Sequence, residues 1–222
     1  MLRYVAGIGA LAGLTLTVYG IMPHRPRIPL GDRVLIFGDS QAGGLGRGMA
    51  QAIAQSGRTV DVSSHTGDTT RELAAKFAQY PRVGSYDVVV LFAGGNDGDR
   101  DYSADFRGMV ERALAVGAKV VALGPLPVTE IGDMSRARAV WGPGVEQPSH
   151  FFDTGYARNM AAVRGRFRRS LAGLRDVRYF DVGEVFSDAQ MRYGLAPGGV
   201  HGTLQHGLDV APVLFDLRRP RA

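Results

Sequence analysis

The segment Asp87–Ala93, DVVVLFA, constrains this chain more than any other stretch. A strand with one wet face alternates apolar and polar residues. A run that is apolar almost throughout must instead be covered on both faces, as in the middle of a parallel sheet. Four further runs suit the same sheet: Arg33–Phe37, Thr59–Ser63, Lys119–Leu123 and Val177–Val182. Helical spacing fills the intervals. Leu45, Met49 and Ile53 step by four, and Leu73, Phe77 and Tyr80 share a face behind Thr69 or Asp68 as N-cap. Phe106, Met109, Val110 and Ala113 form a third helix, stopped at Gly117. Tyr156, Met160, Val163, Phe167 and Leu171 form a fourth, and a short helix follows Thr203. Residues 129–150, with Trp141, Gly142, Pro143, Gly144 and Pro148, read as loop. Alternating strands and helices predict a parallel sheet with helices on both sides. Ligands of such sheets bind beyond the carboxyl ends of the strands, so the residues after each strand are the ones to examine.

Charge excludes less than it first suggests. Of the 222 residues, 26 are Lys or Arg and 21 are Asp or Glu, a net charge of +5. The excess sits at the ends. Arg3, Arg25, Arg27 and Arg33 face only Asp32 in residues 1–33, and Arg218, Arg219 and Arg221 close the chain. The body between them is nearly neutral, which argues against a nucleic-acid partner. The chain has no cysteine, which excludes disulfides, thiolate metal sites and a thiol nucleophile.

Residues 4–22, YVAGIGALAGLTLTVYGIM, carry no charge and would reach about 28 Å as a helix, nearly a bilayer core. Arg3 precedes them, and His24, Arg25, Pro26, Arg27 and Pro29 follow. We expect residues 1–30 to be an apolar helix used as membrane anchor or signal segment, with a short Pro/Arg linker, and residues 31–222 to be the folded domain. The residues after Gly20 supply no small-residue cleavage site, which favours an uncleaved anchor over a cleaved signal. A buried or hairpin apolar segment of a soluble protein is the remaining reading.

Four short blocks follow the strands. Gly38-Asp39-Ser40 follows the first, Gly67 the second, and Gly94-Gly95-Asn96-Asp97 the third. Gly199-Val200-His201 lies near the C-terminus. Each alone reads equally well as a cap, a turn or a loop. In this order and placement, over residues 33–215, they resemble the SGNH (GDSL) hydrolases, esterases and lipases named for their Ser, Gly, Asn and His. The resemblance implies a flavodoxin-like three-layer α/β/α sandwich with a central parallel sheet of about five strands. It also implies an ester hydrolase with catalytic Ser40, His201, Gly67 and Asn96, and no cofactor or metal.

The chemistry of those residue types agrees. A Ser hydroxyl needs an adjacent base, for which His201 is the candidate. The N–H groups of Ser40 and Gly67 and the amide of Asn96 are candidate oxyanion donors. One position departs from the family pattern. Gly198 stands where the family usually places an Asp that orients the His. Main-chain carbonyls near Gly198, another acid such as Asp209 or Asp181, or a weak enzyme remain open. Asp39 fits better as support for the Ser turn.

Other clusters carry less. His65, His150 and His206 have no ligand spacing. Asp97, Asp99, Asp101 and Asp105 lack the pattern of a calcium loop. Arg158, Arg164, Arg166, Arg168 and Arg169 read as a solvated helix face. Gly43-Gly44-Leu45-Gly46 lacks the Lys of a phosphate loop and reads as a close helix–sheet approach. The expected substrate is an ester-bearing small molecule or polysaccharide, above all O-acetyl groups on a cell-wall or surface polysaccharide, with the domain periplasmic or otherwise extracytoplasmic. Alternatives are a lipid esterase or thioesterase with a groove from Phe92, Trp141, Phe151 and Phe152, an acetyltransferase, and an anchored sugar-binding member without catalysis. Oligomeric state is not legible.

Overall fold

The computed structural model describes residues 27–125, 154–180 and 204–218. The segment 4–22, the 129–150 loop, Asp181, Gly198 and His201 lie outside them. In chain order the elements are β1 (Ile28–Pro29), β2 (Arg33–Gly38), a π turn (Ala42–Gly46), α1 (Arg47–Gln55), β3 (Thr59–Ser64) and α2 (Thr70–Gln79). There follow β4 (Val88–Phe92), α3 (Ser103–Ala115), β5 (Lys119–Leu123), α4 (Thr154–Ser170), β6 (Val177–Phe180), α5 (Leu204–Leu214) and β7 (Phe215–Asp216).

Five strands form one sheet in the order β3-β2-β4-β5-β6, every neighbouring pair parallel. The expected strands are all present, and β4 is buried along its whole length. Side-chain alternation sorts the core into two layers. Val34, Ile36, Val88, Val90 and Phe92 pack towards Leu45, Met49, Ile53, Val210 and Leu214 on the side of α1 and α5. Leu35, Phe37, Val89 and Leu91 pack towards Leu73, Phe77, Phe106, Val110, Val163 and Phe167 on the side of α2, α3 and α4. Each such fully buried side chain contributes roughly 1.5–3 kcal/mol. The three-layer sandwich follows directly from these two faces.

One correction concerns Phe92. It is only 2 % exposed and belongs to the α1/α5 layer, so it is core and does not line an acyl groove. Strand alternation dictates this, because Phe92 shares a face with Val88 and Val90. Helix α1 also begins later than its apolar spacing suggests. Residues 42–46 wind as a wide π turn, a form often found at functional sites. A Cβ on Gly46 would lie 2.9 Å from Ile36, which supports the close helix–sheet approach.

The strand order places the site. The chain goes from β2 to β3 on one side, then crosses back to β4 on the other. The crevice between the ends of β2 and β4 is the switch point at which such sheets bind ligands. Register makes the ends level: Gly38 pairs with Ser64 on one side and with Phe92 on the other.

Candidate active site

Because β2, β3 and β4 end level, the three loops that follow them meet at one edge. Hydrogen bonds tie each loop to the other two. The first and second loops are joined by His65, whose backbone N–H donates to the Gly38 carbonyl at 2.8 Å. The Ser64 hydroxyl donates to the Asp39 carbonyl at 3.0 Å. The first and third are joined by Asp39, whose carboxylate accepts the Gly95 N–H at 3.3 Å and the Gln41 N–H at 2.9 Å. The second and third are joined by Asn96, whose side-chain amide donates to the Asp68 carbonyl at 3.0 Å. Thus Ser40, Gly67 and Asn96 each lie next to a residue bonded to one of the other loops, or make that bond themselves. The structure brings these three together, while His201 lies outside the described residues.

Local sequence explains each placement. Gly38 has no side chain because a Cβ there would come within 2.2 Å of the Phe92 carbonyl oxygen. That contact lets β2 run hard against β4 before the turn. Ser40 follows, half-buried, at the start of the helical stretch that leads into the π turn and α1. Asp39 fixes the turn from inside, bonding two residues ahead to Gln41. Gly67 sits at φ +85°, a left-handed conformation that glycine adopts without cost, and is exposed. Two residues on, Thr69 caps α2 in a reciprocal box with Glu72, which decides between the two expected N-caps, Thr69 and Asp68.

Two buried acids hold the frame. Asp39 is 1 % exposed, and its burial pushes its carboxyl up to about 6 despite the two N–H groups it accepts. Asp97 is also buried. Its carboxylate accepts the Thr70 N–H at 2.8 Å and the Thr70 hydroxyl at 2.7 Å. Burial raises its pKa, and the Thr70 hydrogen bonds oppose that rise. Asp39 therefore supports the serine turn and is already committed to it.

Several candidates fall elsewhere. Asp209 is exposed on α5 and accepts the Gln205 amide at 2.9 Å. His65 contacts Ser63 at 3.0 Å, and its ring lies 5.0 Å from that of Phe37 on the α2 side. Burial and Lys76 lower its pKa. Asp101 accepts the Ser103 N–H, and Asp105 meets Arg71 at 3.4 Å. Among the described residues no cluster of metal-ligating side chains forms.

Sequence reading missed two features. One is the Asp97–Thr70 clamp, since nothing marks Thr70 in the sequence. The other is Arg166, read there as part of a solvated face. Its guanidinium donates to the Arg100 carbonyl at 2.8 Å and stands 3.6 Å from Asp101, so it braces the third loop against α4.

A family model described as GDSL-like lipase/acylhydrolase matches residues 31–205. The chain belongs to this family. It is accordingly an ester hydrolase of the SGNH type. No curated protein matches the sequence significantly. Solved structures of similar fold include an acetylxylan esterase from Geobacillus stearothermophilus, at 16 % identity and TM-score 0.62. That match covers 88 % of this chain and 100 % of the esterase. A GDSL-like lipase from Bacteroides thetaiotaomicron matches at 19 % identity and TM-score 0.56, covering 82 % of this chain and 85 % of the lipase. At such identities the likeness concerns the fold.

Proposed function

We propose that this acylhydrolase is a serine esterase that removes O-acetyl groups from cell-wall or surface polysaccharide, tethered outside the cytoplasm by residues 4–22. The observation that carries the reading is the mutual bonding of the three loops bearing Ser40, Gly67 and Asn96. The Ser40 hydroxyl attacks the ester carbonyl and passes its proton to His201. The tetrahedral oxyanion receives the N–H groups of Ser40 and Gly67 and a hydrogen of the Asn96 amide. An amide nitrogen carries two hydrogens, and the bond to Asp68 uses one. Collapse breaks the bond to the sugar oxygen, which leaves with the proton from His201. Water then cleaves the acyl-Ser40 ester by the same route, releasing acetate.

With Asp39 committed to Gln41 and Gly95, and Asp209 to Gln205, main-chain carbonyls near Gly198 are the orienting acceptors we favour for His201. The short acyl group is supported by Phe92, which belongs to the core, and by the acetylxylan esterase of similar fold. Among the described residues no helix is long and apolar enough to cross a membrane, so the tether rests on the sequence of residues 4–22. The test is an acyl-chain series of 4-nitrophenyl esters, from acetate to octanoate, run beside acetylated xylan. Preference for acetate with acetate release from the polymer supports the reading. Preference for octanoate assigns a lipid esterase instead.

A further inference from the structure

The near-neutral charge of the body is not evenly spread. The parallel sheet has two poles: the carboxyl pole, where the candidate site opens, and the amino pole, where the strands begin. At the carboxyl pole three cations are matched, and the two exposed ones without an ion pair among the described residues, Arg47 and Arg100, are offset in part by the exposed Asp99. Arg71 meets Asp105, Lys76 meets Asp68 and Arg166 meets Asp101. At the amino pole Arg218 is held by Asp216, while Asp87 accepts the backbone N–H of Arg33, whose guanidinium lies over the Tyr86 ring. Five exposed cations there, Arg27, Arg82, Arg112, Lys119 and Arg175, make no ion pair among the described residues. The exposed acids there without a salt bridge among the described residues are Asp32, Asp87 and Asp176, fewer than the cations.

The course of the chain places each of the five at that pole. Arg82 lies between α2 and the start of β4, and Arg112 is in the last turn of α3. Lys119 opens β5, and Arg175 precedes Asp176, whose carbonyl accepts the Val120 N–H. Val116, 47 % exposed, stands among them as an apolar projection. The first described residues arrive at the same place. Ile28 pairs with Phe215 and lines a cavity of about 260 Å³ with Lys119, Val120 and Asp176, at the start of β5 and β6.

We propose that the amino pole is a docking face for an anionic bilayer surface, and that the candidate site therefore opens away from the membrane. This rests on the tether proposed for residues 4–22 and deepens it. The tether delivers the domain, and the cations orient it. Strands of five or six residues at about 3.3 Å each put the Ser40 loop roughly 20 Å from that face. Such a mouth meets an ester on a polymer in the aqueous layer, and not a lipid of the same leaflet. The cationic face lies within about one Debye length of the headgroups, so added salt weakens its hold.

The chain has no cysteine, so single cysteines report position without background. Val116→Cys marks the amino pole and Ala104→Cys, in the first turn of α3, marks the carboxyl pole. Each full-length variant, labelled with a fluorophore, is mixed with vesicles of phosphatidylcholine alone or with added phosphatidylglycerol, both carrying a headgroup spin label. We expect flotation with both vesicles and loss of emission at position 116 on the anionic ones. Position 104 keeps its emission, and Arg82→Glu/Arg112→Glu/Lys119→Glu restores emission at 116 without changing ester hydrolysis. Equal quenching at both positions, or no effect of the triple reversal, overturns the docking face while leaving the tether. Flotation with anionic vesicles only overturns the tether and leaves the docking face. Flotation with neither overturns both.

Discussion

Asp97 holds Thr70 twice, accepting its backbone N–H at 2.8 Å and its hydroxyl at 2.7 Å inside the fold. The bond ties the loop carrying Asn96 to the first residue of α2, just beyond Gly67. Asp97→Ala leaves two buried donors unmet, and such a loss costs about 2–3 kcal/mol. We expect urea unfolding to show that drop and kcat to fall, because Asn96 is the next residue. Thr70→Val removes one donor only and costs about 1 kcal/mol. Equal stability of wild type and Asp97→Ala would show that the clamp carries no weight.

Asp39 makes stability depend on pH with a definite sign. Its folded carboxyl titrates at about 6, against 3.8 for the ordinary group. Between these values the folded chain holds a proton that the unfolded chain has lost, so stability falls as pH rises. Full ionisation costs about 3 kcal/mol at ~1.4 kcal/mol per unit. Asp39→Asn cannot titrate. The wild type therefore loses stability relative to Asp39→Asn between pH 4 and pH 6.5, read from urea midpoints at each pH. Parallel pH profiles for the two proteins contradict this.

What was legible in the sequence follows from what burial demands. A parallel sheet covered on both faces needs apolar runs, so Val88–Phe92 and Lys119–Leu123 declared themselves. The cap of α2 was legible only as Thr69 or Asp68, and the box with Glu72 decides for Thr69. The loops bearing Ser40, Gly67 and Asn96 were legible as blocks at strand ends. The bonds that lock them were not. Asp39 reaches Gly95 across 56 residues and Asp97 reaches Thr70 across 27, and no local spacing records such pairs. Arg166 was misread because its neighbours Arg168 and Arg169 are exposed, whereas its own side chain is 20 % exposed against Asp101. Phe92 was misread because a strand-end aromatic looks like groove lining until its face is known.

Two of the three oxyanion candidates, Gly67 and Asn96, can be separated from structural effects. A Cβ on Gly67 meets nothing within 4 Å, so Gly67→Ala pays only the left-handed backbone, about 1–2 kcal/mol. Asn96 is exposed, so Asn96→Ala should leave the urea midpoint nearly unchanged. Loss of one oxyanion donor lowers kcat about a hundredfold or more. We expect that kcat loss for Asn96→Ala on 4-nitrophenyl acetate. An unchanged kcat removes Asn96 from the oxyanion site.

His201 is assigned as base by its place in the fourth block. His201→Ala should lower kcat/KM at least about a hundredfold, within the range for a general base. An unaffected rate would pass that role to another residue.

The central claim is that Ser40 is the nucleophile, and covalent capture tests it most directly. The purified chain is treated with a fluorophosphonate, and intact mass and peptide mapping locate the adduct. We predict one adduct, on Ser40, formed in parallel with loss of 4-nitrophenyl acetate hydrolysis, and neither adduct nor turnover in Ser40→Ala. An unlabelled wild-type chain without turnover, or an adduct that persists in Ser40→Ala, would contradict the account.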